Sequence, residues 1–237
     1  MKNKIIKFEK KIKILNSKKK KNFFFKMNDD NIYSLKITLV GESTVGKSSI
    51  IYQFINKTFL ENSFATIGCD KFSKTIKIKN NKILLNLWDS AGQERFKSLS
   101  PMFLKGSNIV ILVYDITNAE SFEKLENYWI NVVKDNTENI ILGIAGNKID
   151  LYEKEKVNEE IGRKFAEKEN GFFFNVSAKN YQSIEILIIQ LATLYYDKYG
   201  FENDLKEYSF LTYDLISQDN NSFHNQSKFK NKKSCCN

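Results

Sequence analysis

Residues 41–48 read Gly-Glu-Ser-Thr-Val-Gly-Lys-Ser, the pattern G-x-x-x-x-G-K-[ST]. No other feature narrows the folds open to this chain so far, because the octet works only between a strand and a helix. Both are present: Leu35–Val40 is an apolar-rich strand that stops at Gly41, and Ser49–Lys57 has helical spacing with Ile50, Ile51 and Phe54 on one face. The glycines let the backbone curl so that several N–H groups point inward at a phosphate, and the helix N-terminus adds partial positive charge. The residues expected to cradle the phosphates are Gly41, Ser43, Thr44, Val45, Gly46, Lys47, Ser48 and Ser49. Lys47 neutralises the β/γ oxygens, and the Ser48 hydroxyl is a ligand for Mg²⁺. The loop selects a nucleoside triphosphate without naming its base.

The rest of the chain alternates strands with helices. Thr75–Lys79 turns at Asn80-Asn81 into Ile83–Trp88, a hairpin of half-buried strands. Ile109–Tyr114 and Ile140–Ala145 are continuous apolar runs, as central parallel strands require, and Phe172–Val176 is a sixth strand. Helical spacing runs over Ser121–Lys134, Asn158–Glu169 and Ser183–Tyr199. This order predicts an α/β fold: a P-loop domain with a six-stranded, mostly parallel sheet and helices on both faces. Its ligand binds beyond the carboxyl ends of the strands. The domain is expected over residues 32–200, between a basic arm at 1–31 and a polar tail at 201–237.

The net charge of +9 suggests nucleic acid until the charge is located. Residues 1–31 hold eleven lysines against Glu9, Asp29 and Asp30, and Lys228, Lys230, Lys232 and Lys233 lie near the other end. The body between them is close to neutral, so a basic nucleic-acid-reading face on the body is not indicated and no nucleic-acid partner is expected; the alternative reading is a nucleic-acid-binding protein that uses the basic arms. Cys69 stands alone while Cys235 and Cys236 are adjacent, which is no disulfide framework. The apolar runs are too short or too interrupted to span a bilayer.

The base is named by Asn147-Lys148-Ile149-Asp150, just after the Ile140–Ala145 run. The Asp150 carboxylate can accept from both N1–H and the 2-amino group of guanine. Adenine offers neither donor and would leave that carboxylate desolvated and unpaired. Ser177-Ala178-Lys179, after the sixth strand, supplies a backbone N–H for guanine O6. In Trp88-Asp89-Ser90-Ala91-Gly92-Gln93-Glu94, Asp89 is placed to hold Mg²⁺ through water, Gly92 N–H to touch the γ-phosphate, and Gln93 to orient the attacking water. Thr66 is the second hydroxyl for Mg²⁺. Removing the γ-phosphate frees what Thr66 and Gly92 hold, so both loops relax.

Taken in order, GESTVGKSS, ATIG, WDSAGQERF, YDIT, NKID and SAK resemble the Ras-superfamily G domain over residues 35–198. WDSAGQERF, YDITNAESF and the double-cysteine end are similar to Rab proteins, and the GES loop and SLSPMFLKG segment most resemble the early-endosomal branch. The resemblance implies a six-stranded sheet with five helices, GTP/GDP and Mg²⁺ binding, slow intrinsic hydrolysis with Gln93 catalytic, and Phe59 stacking near the guanine. It also implies exchange factors, GTPase-activating proteins, a GDP-dissociation inhibitor or escort protein, and effectors. Location follows in the same way: the cytosolic face of an endosomal membrane, with a cytosolic pool in the GDP state. Three residues depart from the pattern. Ser90 replaces the usual threonine, Thr44 stands where a smaller residue is usual, and Lys71 replaces an aromatic that normally joins Trp88 and Phe103 in an effector-reading surface. A second reading, a GTP-locked scaffold with little hydrolysis and atypical effectors, draws on Thr44 and Lys71.

Ser234-Cys235-Cys236-Asn237 does not fit C-a-a-X; its paired cysteines resemble sites of double geranylgeranylation. Two lipid chains give stable anchoring where one does not, and the KFKNKK segment adds attraction to an anionic leaflet. In the N-terminal arm, Ile5, Phe8, Ile12 and Leu15 have the spacing of an interfacial helix. The alternatives are a solvated arm, or an upstream start with Met27 beginning the usual length.

Overall fold

All seven residues of the run Ile109–Asp115 are buried, so the strand it forms has helices on both sides. The computed structural model describes residues 33–59, 66, 69–79, 81–90 and 100–200. Within them the strands are β1 (Tyr33–Val40), β2 (Cys69–Ile78), β3 (Asn81–Ser90), β4 (Ile109–Asp115), β5 (Ile141–Asn147) and β6 (Phe172–Asn175). They form one sheet in the order β2-β3-β1-β4-β5-β6. Only β2 pairs antiparallel, with β3; the other neighbours are parallel. The predicted six-stranded, mostly parallel sheet is therefore present, with β1 and β4 at its centre.

The helices are α1 (Lys47–Asn56), α2 (Ser100–Leu104), α3 (Ala119–Lys124), α4 (Ile130–Asn136), α5 (Glu159–Lys168) and α6 (Tyr181–Tyr199). A π-helical turn, Leu125–Trp129, joins α3 to α4, so 119–136 is one helical run interrupted by a bulge. Counted so, five α-helical runs lie among the described residues, with a 3₁₀ helix at Ile149–Lys154 besides. Val110, Leu112 and Tyr114 of β4 pack with Phe122, Leu125, Trp129, Val133 and Phe165 on one face of the sheet. On the other face α6 packs against α1, and Leu191 lies against Gly143 of β5.

Local chemistry sets the helix starts. Asn118, Asn158 and Asn180 each accept a backbone N–H from the first turn of α3, α5 and α6. Glu120, Glu159 and Glu160 complement the dipole there. Helix α1 differs: it follows Gly46 with no side-chain cap and no acidic residue in its first turn.

The hairpin is longer than the sequence pattern predicts. Pairing continues from Thr75 back to Cys69, which sits opposite Ser90. Here Lys71, Ser73, Thr75 and Lys77 are exposed, so this outer face carries no apolar signal. Asn86 closes it by hydrogen bonds, donating to Ser34 Oγ at 2.7 Å on β1 and accepting from Ser73 Oγ at 2.8 Å on β2. The arm 1–31 and the tail 201–237, with Cys235 and Cys236, lie outside the described residues.

Candidate nucleotide site

Strand β1 delivers the chain to Gly41 at the carboxyl edge of the sheet, and α1 takes it away from Gly46. Both glycines are required by close approach. Gly41 has φ 148°, and a Cβ there would lie 2.2 Å from Val113 O on β4. Gly46 has φ 99°, and its Cβ would lie 2.3 Å from Asn147 Nδ2. Thr44 also adopts a left-handed conformation, φ 65°, although it is β-branched. Val45 is buried, Ser43, Ser48 and Ser49 are half-buried, and Thr44 is exposed. The uncapped start of α1 leaves leading N–H groups for an anion.

Lys47 is buried, and its ammonium donates to Gly41 O at 3.0 Å and Glu42 O at 2.8 Å. Burial lowers its pKa to about 8 against the opposing pull of Asp89 and Glu42. A phosphate at this loop would supply the negative charge that a buried ammonium lacks.

Beyond Lys47, three oxygen-bearing side chains converge from separate segments. Ser48 Oγ lies 2.8 Å from Thr66 Oγ1, and Thr66 donates to Asp89 Oδ2 at 3.0 Å. Asp89 Oδ1 is buried with no hydrogen-bond partner. Burial raises the Asp89 pKa, outweighing the hydrogen bond from Ser48, the charge of Lys47 and the hydrogen bond from Thr66. A half-used buried carboxylate beside two hydroxyls is an all-oxygen donor set, which suits a hard divalent cation such as Mg²⁺. No cluster of three or more His, Cys, Asp or Glu ligands exists among the described residues.

The loops that carry the expected base-reading residues are braced onto this cradle. Asn147, at the end of β5, donates through Nδ2 to Val45 O at 2.8 Å and accepts at Oδ1 from Ala178 N at 3.1 Å. Lys148 has φ 68° and pairs with Asp115 Oδ2 at 2.6 Å. Asp115 Oδ1 accepts from the Thr117 N–H and hydroxyl. Asp150 Oδ1 accepts from Ser177 Oγ at 2.6 Å, and Oδ2 faces Lys179 Nζ at 3.3 Å. Burial pushes the Asp150 carboxyl up, but the hydrogen bonds from Ser177 and Lys179 outweigh it and hold the group below its ordinary value. Lys179 Nζ also lies 5.6 Å from the ring centroid of Phe59, which brings that ring to the same loops.

The structure thus brings together the phosphate loop, Thr66, Asp89, Phe59, Asn147, Lys148, Asp150, Ser177, Ala178 and Lys179. One expectation needs refinement. The Ser177, Ala178 and Lys179 N–H groups already donate to Ser183 Oγ, Asn147 Oδ1 and Ser177 Oγ. A base acceptor would share one of them. Gly92 and Gln93 lie outside the described residues. Two partners escaped the sequence reading. Asp115 belongs to the YDIT string that carries the resemblance, but nothing in the string says which lysine it holds. Glu42, whose carboxylate meets Trp129, stands at a variable position of the octet.

On the outer face of the hairpin, Lys71 is exposed opposite Trp88, with Nζ 5.9 Å from its ring; Lys36 Nζ is 4.6 Å from the same ring. Phe72 faces the core side with Leu87, and Phe103 is buried. The outward surface is therefore one tryptophan between two ammonium groups. Ser90 is buried and donates to Leu39 O at 2.6 Å.

Residues 36–197 match the model of the Ras family. The chain is 34% identical over 165 residues to Ras-related protein Rab-5A of Dictyostelium discoideum, covering 70% of this chain and 82% of that protein. It is 42% identical over 167 residues to Ras-related protein Rab-18-B of Danio rerio, covering 70% and 80%. It is 39% identical over 158 residues to Ras-related protein Rab-22A of Homo sapiens, covering 67% and 81%.

Proposed function

Since the chain belongs to the Ras family, as a Rab-type small GTPase, we propose that it is a membrane-surface switch that binds GTP and GDP with Mg²⁺ and hydrolyses GTP. The observation that carries this is the convergence of Ser48, Thr66 and the half-used Asp89 carboxylate beside buried Lys47. Mg²⁺, when bound, would neutralise charge on the β- and γ-phosphates, held by Ser48, Thr66 and, through water, Asp89. Lys47 exchanges its loop carbonyls for phosphate oxygens. Asp150 reads the guanine edge, while Asn147, Lys148, Ser177, Ala178 and Lys179 hold that reader in place and Phe59 covers the ring. Gln93 orients the water whose oxygen bonds to the γ-phosphorus. The bond from the γ-phosphorus to the bridging oxygen breaks, and GDP and phosphate leave. Loss of the γ-phosphate releases Thr66 and Gly92.

The traffic role proposed is in vesicle transport on the endocytic side, at the cytosolic face of an endosome. It rests on the likeness to proteins named Rab5 and Rab22, and the likeness to one named Rab-18 keeps the organelle open. No helix among the described residues is long and apolar enough to cross a membrane. Anchoring is assigned to geranylgeranyl groups on Cys235 and Cys236 of the 201–237 tail. An exchange factor, an activating protein and a GDP-dissociation inhibitor or escort protein would regulate the cycle, and effectors would read it.

Single-turnover phosphate release from the GTP-loaded full chain, with and without a family activating protein, tests the reading. Slow release, accelerated by the activating protein and lost in Gln93→Leu, is expected. Tight GTP binding with no release under either condition would instead establish the locked scaffold, the reading that draws on Thr44 and Lys71. Mass spectrometry of cell-derived protein with unmodified Cys235 and Cys236 would remove the lipid anchor.

A further inference from the structure

The phosphate loop is tied to the helical side of the domain by a side-chain contact that no motif announces. Trp129 closes the π-helical turn between α3 and α4, where the Ile130 N–H reaches back five residues to Leu125 O. Such turns forgo regular α-helical bonding and occur frequently at functional sites. Trp129 is fully buried, in one cluster with Leu112, Leu125 and Val133. Its indole N–H donates to Glu42 Oε1 at 2.9 Å. Glu42 is the second residue of the octet, and its main-chain carbonyl accepts from Lys47 Nζ at 2.8 Å. Three links run in series from a helix core to the phosphate-facing lysine.

The physics gives that series weight. A buried indole N–H needs an acceptor, and a carboxylate acceptor makes the bond about twice as strong as a neutral one. The α1 end of the loop is fixed by Asn147 through Val45 O. The β1 end, at Gly41 and Glu42, is held by the indole. We infer that Trp129 and Glu42 are positioning residues for the phosphate loop: their hydrogen bond holds its backbone in the curl that receives the β-phosphate and so slows nucleotide release. The inference rests on the nucleotide reading above and adds to it a control on how long the nucleotide stays.

The test loads full-length wild type, Trp129→Phe, Glu42→Ala, Glu42→Gln and the Trp129→Phe/Glu42→Ala double variant with a fluorescent GDP analogue. Release is followed after a chase of excess GDP. Trp129→Phe and Glu42→Ala each release about ten- to a hundredfold faster, the size expected for one hydrogen bond to a charged acceptor. The double variant is no faster than either single one, and Glu42→Gln, which keeps an acceptor oxygen, recovers most of the slow release. GMP lacks the β-phosphate, so its affinity, measured by competition, is unchanged; a general loosening of the fold would weaken GMP and GDP alike. Where Trp129→Phe does not fold, Glu42→Ala against Glu42→Gln makes the same comparison. Release within twofold of wild type in Glu42→Ala, additive effects in the double variant, or equal weakening of GMP and GDP each overturn the inference. A wild-type chain that does not retain the analogue overturns the nucleotide reading itself, and this inference with it.

Discussion

Asn147 Nδ2 lies 2.8 Å from Val45 O while its Oδ1 takes the Ala178 N–H, so one buried amide joins the phosphate loop, the end of β5 and the loop after β6. The loop proposed to bind phosphate and the loop proposed to meet the base are held in register by the same side chain. Asn147→Ala leaves a buried carbonyl and a buried N–H without partners. It is expected to lower stability by about 2–4 kcal/mol and to accelerate GDP release, as read by urea unfolding and by fluorescent nucleotide exchange.

The raised pKa of Asp89 gives a prediction with opposite signs for stability and binding. A carboxyl raised by burial contributes stability below its unfolded value and loses it as pH rises through the folded one, so at pH 7 its charge is a net cost. Asp89→Asn removes that cost: the nucleotide-free variant melts at or above the wild-type temperature. Its Mg²⁺-dependent GDP affinity falls about 10–100-fold, the range seen when a metal's supporting ligand is lost. Thermal melts and Mg²⁺ titrations of GDP binding read the two effects separately.

Asp150 runs the other way. Its carboxyl is held below the ordinary value, so its contribution is present above about pH 4 and is lost as pH falls through the lower folded value. Wild type should hold a small, constant melting advantage over Asp150→Asn from pH 8 to pH 5, small because the carboxylate is partly solvated. An advantage that vanished near neutrality would contradict the geometry at Ser177 and Lys179.

Cys69 is a free thiol at the start of β2, and burial, then Asp89 and Asp70, push it up to about 12. Only the thiolate reacts. In a Cys235→Ser/Cys236→Ser background, alkylation of Cys69 should be negligible at pH 7.5 and climb about tenfold per unit beyond pH 9, where an ordinary thiol levels off. Mass spectrometry of iodoacetamide-treated protein measures it.

Thr44 holds a left-handed φ of 65°. That conformation costs a residue with a Cβ roughly 1–2 kcal/mol, and glycine returns part of the gain through its freer unfolded chain. Thr44→Gly should stabilise the domain by up to about 1 kcal/mol in denaturant titrations.

Much of this molecule was legible before any coordinates. Strands β4 and β5 announced themselves as unbroken apolar runs because both their faces are covered. The octet, Asp89, Asp150 and Ser177 could be singled out as candidates because phosphate, metal and base chemistry would restrict residue type and order, and the fold brings them to one edge of the sheet. The first half of β2 was not legible, since its outward positions alternate lysine, serine and threonine on an uncovered face. Nor was the π-helical turn, whose residues have ordinary helical spacing. The dual use of Asn147 and the Asp115–Lys148 pair were hidden for another reason. Asparagine, aspartate and lysine are common in surface loops, and only the fold decides which of them face one another.

The chain has two tryptophans, and they report on different places. Trp129 is sealed in the core with its indole on the phosphate loop, whereas Trp88 lies on the hairpin surface between Lys36 and Lys71. Emission from the first belongs to a dry environment, and emission from the second to a wet, cationic one, open to quenching by iodide drawn in by the two ammonium groups. The unlabelled protein therefore carries its own pair of optical probes: one for nucleotide arriving at the loop, the other for a partner settling on the sheet.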